Sequence, residues 1–122
     1  MKTLSLKLIT LLALAITLLT PTLAYAKSVH NASWYGGYFH GRKTASGEIY
    51  NKCALTAASN SHKMGTKLKV TNVKTGKSVV VKVNDTGGFA KYNRTLDLSQ
   101  GAFQQIAPLG QGVAKVTIQV LK

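Results

Sequence analysis

The segment GTKLKVTNVKTGKSVVVKVND, residues 65–85, alternates apolar and polar side chains with a period of two. Leu68 and Val70 alternate with Lys67, Lys69 and Thr71, and Val79, Val81 and Val83 alternate with Ser78, Lys82 and Asn84. An extended chain puts every second side chain on one face, so the segment predicts two strands joined by a turn at Lys74-Thr75-Gly76. Val116, Ile118 and Val120 repeat the pattern against Lys115, Thr117 and Gln119 and predict a closing strand. Leu98, Ala102, Phe103 and Ile106 mark a short amphipathic helix ended by Pro108, with Asp97 expected at its N-cap and Gln100 three residues on. The chain is therefore expected to be one small, mainly β domain with one or two short helices.

Residues 1–26 stand outside that domain. Lys2 and Lys7 precede the apolar run from Leu8 to Leu19, and Ala24-Tyr25-Ala26 offers a small-x-small cleavage site, which together predict a secretory signal peptide. The run is shorter than the ~20 apolar residues of a membrane-spanning helix. The domain of residues 27–122 is expected to be exported, to the periplasm or the extracellular face of the envelope, as a monomer. No lipobox cysteine is seen. Cys53 is the single cysteine, so no intramolecular disulfide can form, and it is expected to pack as a small apolar side chain.

Sixteen Lys and Arg stand against only Glu48, Asp85 and Asp97, a formal net charge of +13. Such a surface implies a polyanionic partner. Basic residues among aromatics would also suit nucleic acid, but export separates the domain from the cytoplasmic pool, so no nucleic-acid partner is expected. A cell wall carrying carboxylates, or anionic wall polymers, is nearer.

With so few carboxylates, Asp85 stands out. Counting by two puts it on the core side with Val79, Val81 and Val83, at the end of the strand and before Thr86-Gly87-Gly88. A carboxyl group that loses hydration there would have a raised pKa, as a general acid requires. The same spacing also suits an aspartate that caps the turn.

The motifs ASWYGGYFHGRKTASGEIYN, LTAA, GTKLKVTNVKTGKSVVVKVND, LDLS and GVAKVTIQVL occur in order from Ala32 to Leu121. Together they resemble the rare lipoprotein A family of septal-ring lytic transglycosylases. The resemblance implies a six-stranded double-psi β-barrel, a fold shared with expansins. It also implies cleavage of peptidoglycan glycan strands between N-acetylmuramic acid and N-acetylglucosamine, leaving 1,6-anhydro ends, with no metal or organic cofactor. The catalytic aspartate of the family then falls on Asp85 and its supporting glutamate on Glu48. In the implied mechanism one carboxylic acid acts twice, as proton donor and then as base.

Two departures from the family pattern are visible. Ser59 stands where the family has histidine, with His62 three residues on, and Thr86-Gly87-Gly88-Phe89 replaces Arg-Gly-Pro-Phe. Ser59, His62 and Asp97 are therefore candidates for site support. Trp34, Tyr35 and Asn84 are candidates for substrate binding; of the two rings, Trp34 is expected to sink largely into the core and Tyr35 to face the cleft. Two other functions remain open on the sequence: an expansin-like module that binds or loosens wall polysaccharide without cleaving it, and a cationic scaffold for anionic polymers.

Overall fold

A computed structural model describes residues 28–122. The expected leader lies outside the described residues. Six strands form a closed barrel: β1 (His30–Tyr35), β2 (Thr56–Ser59), β3 (Lys67–Asn72), β4 (Ser78–Asp85), β5 (Leu96–Ser99) and β6 (Ala114–Leu121). Their order around the barrel is β1-β5-β2-β4-β3-β6. The pairs β1–β5 and β2–β4 are parallel, and the other four are antiparallel.

The predicted hairpin is β3–β4. Gly76 takes the left-handed conformation its turn requires, with φ 77°. Asn72 accepts Lys74 N–H and Thr75 N–H on its side chain, which closes the connection. Alternate residues of the strands point inward, among them Leu68, Val70, Val79, Val81, Val83, Leu96, Leu98 and Val116. One helix, α1 (Gln100–Ile106), seals this core with Ala102, Phe103 and Ile106.

The helix begins later than the sequence suggests, and its N-cap is Ser99 rather than Asp97. Ser99 Oγ accepts Ala102 N–H at 3.2 Å. Leu98 pairs with Trp34 on one side and Ala57 on the other, so residues 96–99 are held as a strand from both edges. That pairing frees Asp97 for another use.

Gly101 shows how tightly the helix seats. A Cβ there would lie 2.9 Å from the Cys53 carbonyl oxygen and 3.1 Å from its carbon. Alanine is the better helix former by up to ~1 kcal/mol, yet the obstacle is backbone, which cannot swing aside. Gly101→Ala is expected to lower stability by about 1–3 kcal/mol, read as a lower denaturation midpoint; a midpoint at or above wild type would show that the loop of residues 50–55 gives way.

Candidate active site

Cross-strand register assembles the site. Ser33 of β1 faces Asp97 of β5, Asp97 faces Ala58 of β2, and Ala58 faces Asp85 of β4. Two of the three carboxylates thus share one row across four strands. Adjacent strands lie ~4.8 Å apart, so the two backbones are about 10 Å from each other. Leu96 and Leu98 point into the core, which turns Asp97 outward. The connections from β1 to β2 and from β4 to β5 border this face and enclose a cleft of about 420 Å³ lined by both aspartates, a size suited to a small ligand or a few sugar rings.

Asp85 reaches the cleft by a route that counting by two does not predict. The β2–β4 register shifts between Ala57, opposite Val83, and Ala58, opposite Asp85. The extra residue is Asn84. This bulge turns Asp85 away from the valine face and toward the cleft, a common use of bulges beside sites. Asp85 Oδ1 accepts Ala45 N–H at 3.0 Å and Thr86 N–H at 2.9 Å. The turn-capping role and the cleft position therefore belong to the same residue.

Asp97 is held differently. Ser33 Oγ donates to its Oδ1 at 2.7 Å, and Arg94 Nη1 donates to Ser33 Oγ at 2.7 Å. Burial raises its pKa above the usual carboxylate range; the Ser33 hydrogen bond and the Arg94 charge oppose that shift, and the Asp85 charge adds to it. Arg94 Nε is buried without a hydrogen-bond partner among the described residues.

Tyr35 lines the cleft, as expected from the sequence. Its ring stacks on Tyr50 at 4.4 Å, and Phe39 packs edge-on at 5.9 Å. Tyr50 Oη donates to the Tyr35 carbonyl at 2.5 Å, fixing the start of the β1–β2 connection. Burial, and after it the Asp85 charge, raises the Tyr35 hydroxyl pKa well above its usual value, so the group remains a proton-bearing donor.

Several expectations are corrected by the geometry. Glu48 lies outside the cleft lining and pairs with Lys82 at 2.8 Å, both side chains being about half exposed. That contact, led by its hydrogen bond, lowers the Glu48 pKa. Its bearing on the cleft is indirect, because the same loop supplies Ala45 N–H to Asp85 and Ser46 N–H to the Asn84 carbonyl.

Trp34 also lies outside the lining. It packs against Phe103 at 6.5 Å and donates Nε1–H to the Leu109 carbonyl, because in β1 it alternates with Ser33 and Tyr35. Asn84 is 3% exposed, having been taken inward as the bulge residue. Ser59 is fully buried and bonds His62 Nδ1 at 2.9 Å. Neither lines the cleft; the neighbour Asn60 serves it by clamping the backbone of Gly87 through both its amide atoms. Cys53 is exposed rather than packed, since its backbone, not its thiol, meets the helix at Gly101.

Ser33 and Arg94 were not singled out by the sequence. Arg94 lies three residues before Asp97, a faint signal, whereas Ser33 becomes its partner only through the parallel β1–β5 register. Among the described residues no group of three or more His, Cys, Asp or Glu could hold a metal ion.

Comparison with known proteins agrees with the barrel. The family described as lytic transglycolase matches residues 27–118. The Campylobacter jejuni protein named endolytic peptidoglycan transglycosylase RlpA is 51% identical over 90 residues, which are 74% of this chain and 32% of that protein. A Neisseria meningitidis serogroup A protein of the same name is 51% identical over 89 residues, 73% of this chain and 37% of that protein. The chain spans about a third of the length of these curated relatives.

Among solved structures, Streptomyces papain inhibitor aligns with a TM-score of 0.62 at 24% identity, covering 80% of this chain and 96% of that one. The apo expansin of Clavibacter michiganensis aligns with a TM-score of 0.62 at 22% identity, covering 80% and 51%. At those identities the likeness is one of fold. Sequence match and closed barrel agree: the chain belongs to the RlpA-like double-psi β-barrel family of lytic transglycolases.

Proposed function

We propose that this domain is an endolytic peptidoglycan lytic transglycosylase, acting in the cell envelope after export by the leader at residues 1–26. The observation that carries the reading is the pairing of Asp97 and Asp85 on one row of one cleft, in a chain with only three carboxylates. Relatives at about half identity bear that activity in their names.

The two environments suggest a division of labour in place of one acid acting twice. Asp97, the buried group with the raised pKa, donates its proton to the glycosidic oxygen as the bond from C1 breaks. The C6 hydroxyl oxygen closes onto C1, and Asp85 takes the hydroxyl proton. The proton returns from Asp85 to Asp97 through solvent, so the cycle balances without water as a reactant. Pairs of carboxyl groups whose surroundings separate their proton affinities serve such acid and base roles. Tyr35 presents its ring to the cleft, and Arg94 with Ser33 fixes Asp97. Ser59 is buried and lies outside the cleft lining, which supports a mechanism that routes no proton through position 59.

Mass spectrometry of soluble products from purified peptidoglycan, intact and stripped of stem peptides, tests this. Anhydromuramyl products are expected from the wild-type protein. Their absence, with the protein still pelleting with the glycan, would instead support an expansin-like binding module.

Glu48 enters as a strut. Glu48→Gln is expected to slow product release by roughly two- to fivefold, because the exposed Lys82 pair only steadies the loop that donates to Asp85. Salt screens such pairs, so the difference between wild type and variant should shrink when rates are compared at low and high ionic strength. A loss as deep as that of an Asp85 variant would mean that Glu48 reaches the substrate.

A further inference from the structure

Two aromatic rings stand unusually free at the cleft's borders. Tyr38, in the 3-10 turn Gly37–Phe39, is 75% exposed, and Tyr92, in the 3-10 turn Phe89–Tyr92, is 64% exposed. The two turns belong to the two connections that border the cleft, so the rings sit on different rims. Each ring is held by a cation that itself lines the cleft. Arg42 Cζ lies over Tyr38 at 4.3 Å, and Lys91 Nζ and Arg94 Cζ lie against Tyr92 at 5.1 and 5.4 Å. A cation on a ring orients it, and the exposure of both rings leaves surface free for a ligand.

From Tyr38 the aromatic series runs inward, edge-on to Phe39 at 5.2 Å and then to Tyr35 beside the carboxylates. The core does not use these two rings, and their exposed faces beside the cleft are available to what it binds. Flat apolar rings with polar tips suit the apolar faces and hydroxyls of sugars.

We propose that Tyr38 and Tyr92 are stacking platforms for sugar rings on opposite sides of the scissile bond, so that the cleft grips a polymer across the carboxylate pair rather than a chain end. The proposal deepens the transglycosylase reading and rests on it for the position of the bond. Grip at both rims accounts for cleavage within a strand, because a short saccharide reaches only one platform.

The test compares wild type with Tyr38→Ala, Tyr92→Ala, the double variant, and Tyr92→Trp. Affinity for long peptide-free glycan strands and for a disaccharide from the same glycan is measured by calorimetry, with KM, kcat and melting temperature alongside. Each alanine variant is expected to weaken long-strand binding about three- to tenfold and to raise KM by the same factor. Disaccharide binding should fall in no more than one of the two single alanine variants, kcat and melting temperature should hold, and Tyr92→Trp should retain affinity. Wild-type affinity in both alanine variants, a wild type that binds no glycan, or losses that follow melting temperature would overturn the platforms. So would variants that lose affinity for a single-stranded oligonucleotide but not for glycan. Normal glycan affinity without anhydro products in the wild type would sink the transglycosylase reading, while the effect of the two tyrosines on affinity would still be read.

Discussion

Asp97→Asn is expected to cut the release of anhydro products by about 10²–10⁴-fold while making the protein more stable at neutral pH. The first effect is the loss of a positioned proton donor. The second follows from burial. Asp97 has its folded pKa raised, so the folded state holds this proton more tightly than the unfolded chain does. Its stabilising contribution is complete below the ordinary carboxylate pKa and is lost as pH rises through the higher folded value. Above that window wild type bears the cost of a buried charge that asparagine avoids, while asparagine can still accept from Ser33.

Asp85→Asn should abolish products to a similar depth by removing the base. Product yield and melting temperature measured from pH 4 to 8 test both statements. An Asp97→Asn protein with near wild-type activity would return the donor's role to Asp85. In the wild type, activity should also decline as pH rises through the Asp97 pKa, since only the protonated donor serves.

Phe103→Ala is expected to destabilise the barrel by about 3–5 kcal/mol, a fall in melting temperature of at least about 12 °C. Phe103 is fully buried in α1, within the core that contains Leu96 and Leu98, and meets Trp34 at 6.5 Å. Leu96 and Leu98 flank Asp97 on β5, so the cavity opens beneath the strand that carries the proposed donor. Activity measured well below the new midpoint should fall further than the unfolded fraction explains, because β5 loses its backing. A shift of less than about 5 °C would mean that Leu96, Leu98 and Trp34 collapse into the space.

The β3–β4 hairpin, β6 and the apolar face of α1 were all legible in the sequence, because period-two and helical spacing are local properties of the chain. So was Asp85 as a candidate, from the rarity of carboxylates and from motif order. The side to which Asp85 turns was not legible. A bulge is one residue of register against another strand, and β2 lies over twenty residues away in sequence. Asp97 was misread as a helix cap for the same reason: Ser99 is the cap, and the pairing of β5 with both β1 and β2 keeps Asp97 in a strand. Glu48 looked like a site residue by motif position, yet it forms an exposed ion pair; Trp34, also a candidate for substrate binding, packs on Phe103 as its expected place in the core implies.

By itself, the sequence determined a mainly β barrel family, a strongly cationic surface and a short set of carboxylates available for acid–base chemistry, since composition, periodicity and motif order are properties of the chain alone. Only the tertiary structure decided which two of those carboxylates share a cleft, that Ser33 and Arg94 hold one of them, and that Tyr38 and Tyr92 stand on the connections that border it. These are long-range facts, fixed by parallel register, a bulge and the burial of a charge, and none of them exists until distant strands are paired.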